Sequence, residues 1–564
     1  MIQTRLIVLD GVCWPGFAAA CRQGRVPTLA RLAAAGATGL LYGVPHQGRI
    51  GAAASIASGH WPEASGLWFP EEAWAGGVRP ATMASWQRPP LWASLAAAGI
   101  GTASVAWPGS APGGSAAGLH VDDRYPRALG QTVQGWALTP DCCPPAWRDE
   151  LADRRIHPTA ITTGHLLPLV PDLGAVDQAA TDALGRLAIT MAEAATAHGA
   201  AAWIFAHRRP DTAALWLSWL GDIRAGTAAT ARPPWDHLVA GAWTFLDTLV
   251  GALAALAGND RLLIVGTGWA AAPGLVLAHG PEIAPGTVLP AAQQIDIAPT
   301  ILAWHGLADP GLAGRPLPLG VDRACRDVPP PPPQPAEPSA AAAAYLAPLL
   351  AEGFAPPPPP SPRWQAARAL ALGRLLLDRD AAAAEAAAEA ALAAVPDNPD
   401  ALTLKAWCRY AADDAAGVDA IGVRLETLAP DHPWGAMARG AAAAMRGDAG
   451  AARPFLVAAA KGDAETRLRV ARAWLRLRQP AAAMALLGPL AVELPGRAEV
   501  RLAQAEAAAA VGNHYETEMA LRAALVIDPY VEQAWAALET LLVRLGRRSE
   551  ATRAAAMLAQ LQVR

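Results

Sequence analysis

Residues 5–11 read RLIVLDG, and this short stretch decides the fold of the N-terminal half of the chain. Four apolar residues stand between Arg5 and Asp10. An apolar run of this length, bounded by polar residues, is typical of a strand buried on both faces of a parallel sheet. Asp10 is then expected at the carboxyl end of the strand, the edge where open α/β folds bind their ligands.

Strand and helix patterns alternate through the first 325 residues. The segment VPTLARLAAAG, at 26–36, predicts a helix that begins at Pro27 and ends at Gly36. Further strands are predicted from TASVAWPG at 102–109, AAWIFAH at 201–207 and RLLIVGTG at 261–268. This alternation predicts an α/β domain with a largely parallel sheet between helices over residues 1–325.

The composition limits the classes of function. Of the 564 residues 53% are hydrophobic and 17% charged, which is typical of a well-buried globular chain. A formal charge of −4 gives no electrostatic support for binding nucleic acid or an anionic membrane surface. Apolar runs such as Leu262–Val265 have the length of strands, so no membrane span is expected. Six scattered cysteines without a CxxC pair favour reduced thiols and a cytoplasmic location.

Proline-rich sequence separates two different halves. Between residues 326 and 363, the segments VPPPPPQPAEP and APPPPPSP flank a short Ala-rich stretch. Such prolines form semi-rigid spacers, so this segment is interpreted as a linker between domains.

The sequence after the linker is periodic. Pro396 and Pro430 are 34 residues apart, as are Pro495 and Pro529, and another step of the same length from Pro430 reaches Ala464. A 34-residue unit of two helices is the period of the tetratricopeptide repeat, or TPR. Residues 364–564 are therefore predicted to form an all-α solenoid of five or six TPR repeats. Such solenoids present a groove, so a protein or peptide partner is expected, whereas an unrelated Ala-rich bundle is the alternative.

The N-terminal half resembles the alkaline phosphatase superfamily, in its type I phosphodiesterase and nucleotide pyrophosphatase branch. Segments that carry the resemblance run in order from LIVLDG through ASIASGHWPEASGL to DIAPTILAWHGL (296–307) and GRPL (314–317). It covers about residues 5–318. The resemblance implies a two-metal phosphoester hydrolase, in which paired cations, commonly zinc, clamp the phosphoryl oxygens while a Ser or Thr attacks.

Several positions of this sequence depart from that pattern. Asp10 matches the first metal ligand. The nucleophile position falls on Gly48 or Arg49, neither of which has a hydroxyl group. The remaining ligand positions give Asp211 as a residual candidate, with Leu215, Gly266 and Thr267 in place of the other ligands. The domain is therefore interpreted as catalytically degenerate, with no catalytic residue assigned and no cofactor expected. Zinc or another divalent cation is expected only if residual binding at Asp10 and Asp211 survives.

Three functions remain open. The first is a pseudoenzyme or scaffold coupled to the TPR solenoid. The second is an active metal-dependent phosphodiesterase or phosphatase with an altered site, to which Asp122 or Asp123 contribute a ligand. The third is a site that binds a phosphate-containing ligand without hydrolysis, because a guanidinium recognises phosphate oxygens in a bidentate fashion. The candidates for this anion site are Arg49, His46, His60 and Arg208. Solvated loop residues or interface contacts are the alternative interpretation of this set, and simple helix or turn capping is the alternative for Asp10 and Asp211.

Overall fold

The structure is a computed structural model. It describes residues 2–44, 47–74, 77–111, 119–127, 138, 142–171, 178–227, 235, 237–269, 272–320, 325–329, 360–377, 379–430, 432–494, 497–529 and 531–562. These residues form two compact units: an N-terminal α/β unit, and a C-terminal helical unit that begins at Pro360.

A mixed sheet is the centre of the α/β unit, and the described residues give it nine strands in the order β10-β2-β9-β8-β1-β7-β5-β6, with β11 also paired to β2. Neighbouring strands are parallel except where β9 meets β2 and β8. The sheet strands are β1 (Thr4–Leu9), β2 (Ala37–Tyr42), β5 (Thr102–Trp107), β6 (Leu119–Asp122), β7 (Thr212–Leu217), β8 (Arg261–Gly266), β9 (Gly274–His279), β10 (Thr287–Val288) and β11 (Ala292–Gln293). Two small sheets pair β3 (Glu71–Trp74) with β4 (Gly77–Pro80), and β12 (Leu307–Ala308) with β13 (Arg326–Asp327).

Helices cover the sheet and bury both of its faces. Along β1, Ile7 and Leu9 enter one hydrophobic core, whereas Leu6 and Val8 enter the other. This explains why RLIVLDG has an unbroken apolar run instead of an alternating pattern. The helices are α1 (Trp14–Arg22), α2 (Pro27–Ala34), α3 (Arg49–Ser58), α4 (Pro62–Ser65), α5 (Leu91–Ala97), α6 (Arg148–Ala152), α7 (Thr163–Leu166), α8 (Gln178–Trp203), α9 (Trp219–Thr227), α10 (Leu238–Ala257) and α11 (Ile297–Trp304).

One predicted strand is wrong. The segment AAWIFAH is helical: Ala201–Trp203 end the long helix α8, and Ile204–Arg208 form a π-helical turn after it. The strand begins only at Thr212, after Pro210. A short apolar and aromatic run does not distinguish a strand from the last turns of a buried helix, and here the helix is 26 residues long.

The helix α10 is long and apolar enough to cross a membrane by length and composition alone. The expectation that no segment could span a bilayer overlooked it. In the structure, α10 packs as a core helix of the α/β unit, with half of its apolar window buried. Its Asp247 accepts the backbone N–H groups of Thr28 and Leu29 at 3.0 and 2.8 Å, which fixes the start of α2 against it.

The α/β unit continues into the segment assigned to the linker, because β13 pairs with β12 and the N–H of Val328 donates to the carbonyl of Ala308 at 2.9 Å. Residues 330–359 of the predicted linker lie outside the described residues, and its last two residues, Pro362 and Arg363, already belong to the first helix of the helical unit.

The helical unit contains twelve consecutive helices in its described ranges, which form six helix pairs, each a TPR-like repeat. They are α12 (Pro362–Leu376), α13 (Ala381–Ala394), α14 (Pro399–Ala411), α15 (Ala415–Leu428), α16 (Pro433–Met445), α17 (Ala449–Ala459), α18 (Ala464–Arg476), α19 (Pro480–Glu493), α20 (Ala498–Ala510), α21 (His514–Ile527), α22 (Glu532–Arg544) and α23 (Arg548–Gln562). The solenoid prediction is confirmed. Most of these helices begin with an Asp, Asn, Ser or His side chain that accepts a backbone N–H of the first turn.

The period shortens at the pair formed by α16 and α17. Helix α17 has 11 residues, whereas the second helices before and after it, α15 and α19, have 14 each. As a result, Ala464 is the first residue of α18 and not the turn that the 34-residue step predicted. Asp463 caps the start of α18, because its carboxylate accepts the N–H of Thr466 at 2.8 Å.

Candidate functional site

Asp10 lies at the carboxyl edge of the sheet, directly after β1, where its N–H donates to the carbonyl of Leu217 at 2.9 Å. Arg49, the first residue of α3, donates from Nε to Asp10 Oδ2 across 2.7 Å. Its Nη2 also donates to Asp222, which lies in α9. One guanidinium therefore bridges two carboxylates that come from different elements of the fold.

The pKa values of Asp10 and Arg49 are both raised, which favours the neutral form of Asp10 and the charged form of Arg49. The Asp10 side chain is 12% exposed; its burial raises the pKa of the carboxyl, and the attraction of Arg49 offsets only part of this effect. Burial also disfavours the charge on Arg49, but this side chain is 40% exposed, so attraction by Asp10 and Asp222 raises its pKa. Arg49 is thus a permanent cation beside the two carboxylates.

A chain of polar contacts occupies the rest of this edge. Thr267, the residue after β8, donates from Oγ1 to Asp10 Oδ1 at 3.0 Å and accepts the N–H of Gly11 at 3.0 Å. Gln294 donates from Nε2 to the carbonyl of Thr267 at 3.2 Å, and Gln47 donates in turn to Gln294. Both carboxylate oxygens of Asp10 therefore accept hydrogen bonds from side chains of this chain.

The loop before α3 has the backbone of a nucleophile loop without the nucleophile. Gly48 is the N-cap residue of α3, with extended backbone and no side chain to accept a hydrogen bond. A Cβ atom added at Gly48 would meet nothing within 4 Å. A hydroxyl-bearing side chain would therefore fit here, although none is present at Gly48 or Arg49.

The described residues do not fit a two-metal centre. Gly266, where the resemblance places an Asp ligand, has no room for a side chain, because a Cβ would lie 2.6 Å from the carbonyl oxygen of Val12. Two dications need several carboxylate and imidazole ligands. Within the described ranges, no group of three or more His, Cys, Asp or Glu side chains is arranged to hold a metal ion. Asp10 and Asp222 both hold Arg49 instead.

Asp211 does not join Asp10. It precedes β7 at the amino edge of the sheet, where its Oδ2 accepts the N–H of Gly101 at 2.9 Å. Strands β1 and β7 are parallel and pair from Thr4 with Thr212 to Leu9 with Leu217, so the length of a strand, roughly 20 Å, separates Asp211 from Asp10. The two carboxylates cannot share a metal ion. Leu215 lies buried in the middle of β7, paired with Ile7.

The acidic pair suggested for an altered hydrolase site is also distant. Asp122 ends β6, which is separated from β1 by β5 and β7, and its carboxylate accepts from Arg124 Nε at 3.0 Å. Asp123 accepts the N–H of Gly109 at 3.3 Å.

Only Arg49 among the described anion-site candidates lies beside Asp10. His60 follows the far end of α3, about 15 Å from Arg49 along the helix axis. Arg208 lies in the π-helical turn near the amino edge, where its guanidinium is 4.7 Å from the ring centroid of Trp203 and 3.5 Å from Glu150. His46 lies outside the described residues. Binding of a phosphate-containing ligand at Arg49 stays a prediction, and such a ligand would compete with two carboxylates.

The sequence reasoning missed Asp222. It follows β7 by five residues and reaches the same edge as Asp10. The sequence contains the signal, because LWLSWLGDIRAG, at 215–226, has an Asp directly after an apolar run of strand length. The strand predicted at AAWIFAH is followed by Asp211, whereas the observed strand, β7, is followed by Asp222.

The comparisons with known proteins concern the two units separately. Residues 4–266, just under half of the chain, match the model of the family described as type I phosphodiesterase / nucleotide pyrophosphatase. The match begins at β1 and ends at β8, so it includes Asp10, Arg49 and Asp222. No curated protein sequence matches this chain.

Solved structures are similar at low identity. The human IFIT1 dimer with PPP-AAAA is 16% identical, with 34% of this chain and 49% of the IFIT1 chain covered and a TM-score of 0.31. This chain thus spans about half the length of IFIT1. MamA from Desulfovibrio magneticus RS-1 is 14% identical, with 35% and 95% covered and a TM-score of 0.24. YrrB, described as a TPR protein with an unusual peptide-binding site, is 13% identical, with 31% and 92% covered and a TM-score of 0.26.

Proposed function

We propose, from the premise that residues 4–266 form a domain of the type I phosphodiesterase and nucleotide pyrophosphatase kind, that this chain is a non-hydrolytic scaffold. Its α/β unit is a pseudoenzyme, and its TPR-like unit binds a protein or peptide partner. The observation that carries the proposal is the guanidinium of Arg49 between Asp10 and Asp222.

The chemistry of metal-dependent phosphoester hydrolysis explains why this contact matters. Hydrolysis needs concentrated positive charge on the phosphoryl oxygens and an oxygen nucleophile in line with the leaving group. Arg49 supplies one positive charge, and two carboxylates already neutralise it. The start of α3 offers Gly48 and Arg49 and therefore no hydroxyl. Both requirements are unmet by the described residues at this edge.

The helical unit supports the binding part of the proposal. Stacked helix pairs bury their apolar faces only against their neighbours and leave an extended inner surface. We place this scaffold in the cytoplasm, a proposal supported by the six cysteines, each of which is a free thiol.

A metal and turnover assay tests the pseudoenzyme proposal. The full chain is incubated with Zn²⁺ or Mn²⁺, desalted and analysed for metal, and hydrolysis of bis(p-nitrophenyl) phosphate is measured beside that of Asp10→Ala. We expect no stoichiometric metal and the same background rate for both proteins. About two equivalents of metal per chain, together with turnover that Asp10→Ala abolishes, would overturn the proposal and establish a hydrolase with an altered site.

A phosphate titration tests the ligand that was predicted for Arg49. Inorganic phosphate is added to the wild type and to Arg49→Ala, and the melting temperature of each is followed. A stabilisation confined to the wild type supports a non-hydrolytic phosphate site within the scaffold. Equal shifts of the melting temperature in both proteins would show that Arg49 does not bind phosphate.

A further inference from the structure

The first helices of the repeat pairs line one side of the helical unit. Helices α12, α14, α16, α18 and α20 pack against one another in sequence, more extensively than the second helices of the same pairs do. In a solenoid, the helices that approach one another most closely lie on the inner side of the curve. Side chains on the solvent-facing side of these first helices therefore share one surface, on the inner side of the curve.

Aromatic and arginine side chains from three of these helices meet at that surface, around Trp407, which is itself buried. The guanidinium carbon of Arg469 is 4.1 Å from the ring centroid of Trp407 and 5.9 Å from that of Trp434. The two indole rings are 5.6 Å apart, edge to face, and Tyr410 is 5.7 Å from Trp407. Arg476 lies 6.0 Å from the Tyr410 ring. We call Trp407, Tyr410, Trp434, Arg469, Arg472 and Arg476 the aromatic–arginine face.

The three arginines form a row along α18, because residues three and four apart share one side of a helix. Arg469 is held inside the face by Glu465, with Nε 3.1 Å from the carboxylate. The other two are more exposed and pair at longer distances. Arg472 is 54% exposed and 3.6 Å from Glu499, and Arg476 is 43% exposed and 3.5 Å from Asp413. Exposed pairs of this kind contribute about 0–1 kcal/mol, so an incoming carboxylate can replace them at little cost.

We propose that the aromatic–arginine face binds an extended acidic segment of a partner protein. This inference rests on the scaffold function proposed above and names the chemistry of its partner. Arg472 and Arg476 are one helical turn apart, about 6 Å along the axis. Alternate residues of an extended peptide are about 7 Å apart and lie on the same side, so two acidic residues separated by one position match the two arginines. The ring of Tyr410, half-buried and 6.0 Å from Arg476, offers an apolar surface for an intervening side chain.

The charges around the face favour a peptide over a nucleic acid. Glu465, Glu499 and Asp413 lie among the arginines and would repel a continuous line of phosphates. A peptide with spaced carboxylates can meet the arginines individually while its apolar residues contact the rings.

Fluorescence anisotropy with the full chain tests this inference. The probes are three labelled peptides of about a dozen residues, long enough to span several helices when extended. Each alternates Leu or Phe with a second residue, which is Glu in one peptide, Gln in the next and Lys in the third. We expect the Glu peptide to bind at least about tenfold more tightly than the other two. The double variant Arg472→Gln/Arg476→Gln should lose about tenfold in affinity for the Glu peptide, and added salt should weaken binding to the wild type.

The matched control is Arg522→Gln. Arg522 is also half-exposed and paired with a glutamate, but it lies on a second helix, α21. Its replacement should leave peptide affinity unchanged. Equal binding of the three peptides, absence of binding, equal losses in the double variant and the control, or tighter binding of a labelled oligothymidylate would each overturn the inference. None of these measurements involves metal or hydrolysis. A negative result would therefore overturn the peptide-binding inference without affecting the pseudoenzyme proposal, which the metal and turnover assay tests.

Discussion

Arg49 and Asp10 form an ion pair whose two members differ in exposure: the arginine side chain is 40% exposed and the aspartate 12%. Removing the arginine would therefore leave a buried carboxylate that keeps Thr267 as a hydrogen-bond donor but has lost its cation. The pair is thus asymmetric, and its loss should be felt mainly at Asp10.

We expect Arg49→Met to lower the free energy of unfolding by about 1–2 kcal/mol at pH 7. This is less than for a fully buried pair, because Arg49 is partly solvated. Without Arg49 the pKa of Asp10 should rise further, so the folded variant holds its proton to higher pH than the unfolded chain. The loss should therefore shrink as pH falls from 7 towards the ordinary value of 3.8. Urea unfolding at several pH values measures this.

A double-mutant cycle provides the control. In Asp10→Asn/Arg49→Met, the buried charge is absent, so the added cost of losing the arginine should largely disappear. If Arg49→Met costs the same with Asp10 or Asn at position 10, the pair does not couple the two residues.

Gly48→Ser should be tolerated and mildly stabilising. Space around Gly48 is open, and a Ser side chain at this N-cap position can accept a backbone N–H of the first turn of α3. The expected gain is a few tenths of a kcal/mol, measured by thermal unfolding. The variant restores a hydroxyl without the metal ligands, so it should still not hydrolyse bis(p-nitrophenyl) phosphate. Turnover above the wild-type background would show that the missing hydroxyl was the sole defect.

His305 should make the stability of the α/β unit depend on pH. Burial, assisted by the nearby charge of Arg261, lowers the pKa of His305 to about 4, and its Nε2 is 2.7 Å from Thr212 Oγ1. Between pH 4 and 6.5 the unfolded chain holds more protons at this residue, so stability should fall as pH drops through this range, by about 1 kcal/mol per pH unit. His305→Gln should flatten the profile. An unchanged slope in the variant would contradict this assignment.

Asp463→Ala should destabilise the helical unit by about 1 kcal/mol. Asp463 caps α18 and accepts from both the N–H and the hydroxyl of Thr466, at 2.8 and 2.6 Å. These hydrogen bonds outweigh the opposing effect of its partial burial and lower the pKa of its carboxyl. The matched control is Gln479→Ala at the N-cap of α19, where no side-chain hydrogen bond is made. Equal effects of the two substitutions on urea unfolding would remove capping as the cause.

The sequence predicts elements well where local pattern and burial agree. The strands β1 and β8 have apolar runs that are typical of a sheet buried on both faces. The helix pairs are recognised from turns that recur at a fixed period. The sequence does not predict an element where an apolar run is compatible with either a strand or a buried helix, as in AAWIFAH. It also does not predict where α17, which is three residues shorter than α15 and α19, places the start of α18 at Ala464. Such differences depend on the neighbours in space.

The site was predictable only in part for the same reason. Asp10 and Arg49 could be identified from their positions beside β1 and α3. Their direct contact, and the participation of Asp222, depend on how three elements meet at one edge of the sheet. A side chain so close in sequence to the end of β7 is recognised only when the strand itself is placed correctly.

The bridge formed by Arg49 has a consequence for how this protein is made. The positive charge between Asp10 and Asp222 belongs to a side chain of the protein and is present once the chain has been synthesised. Unlike a bound metal ion, it does not depend on the supply of trace elements, and neither a chelator nor a competing ion can remove it. The stabilisation that this charge provides is therefore present as soon as the chain folds.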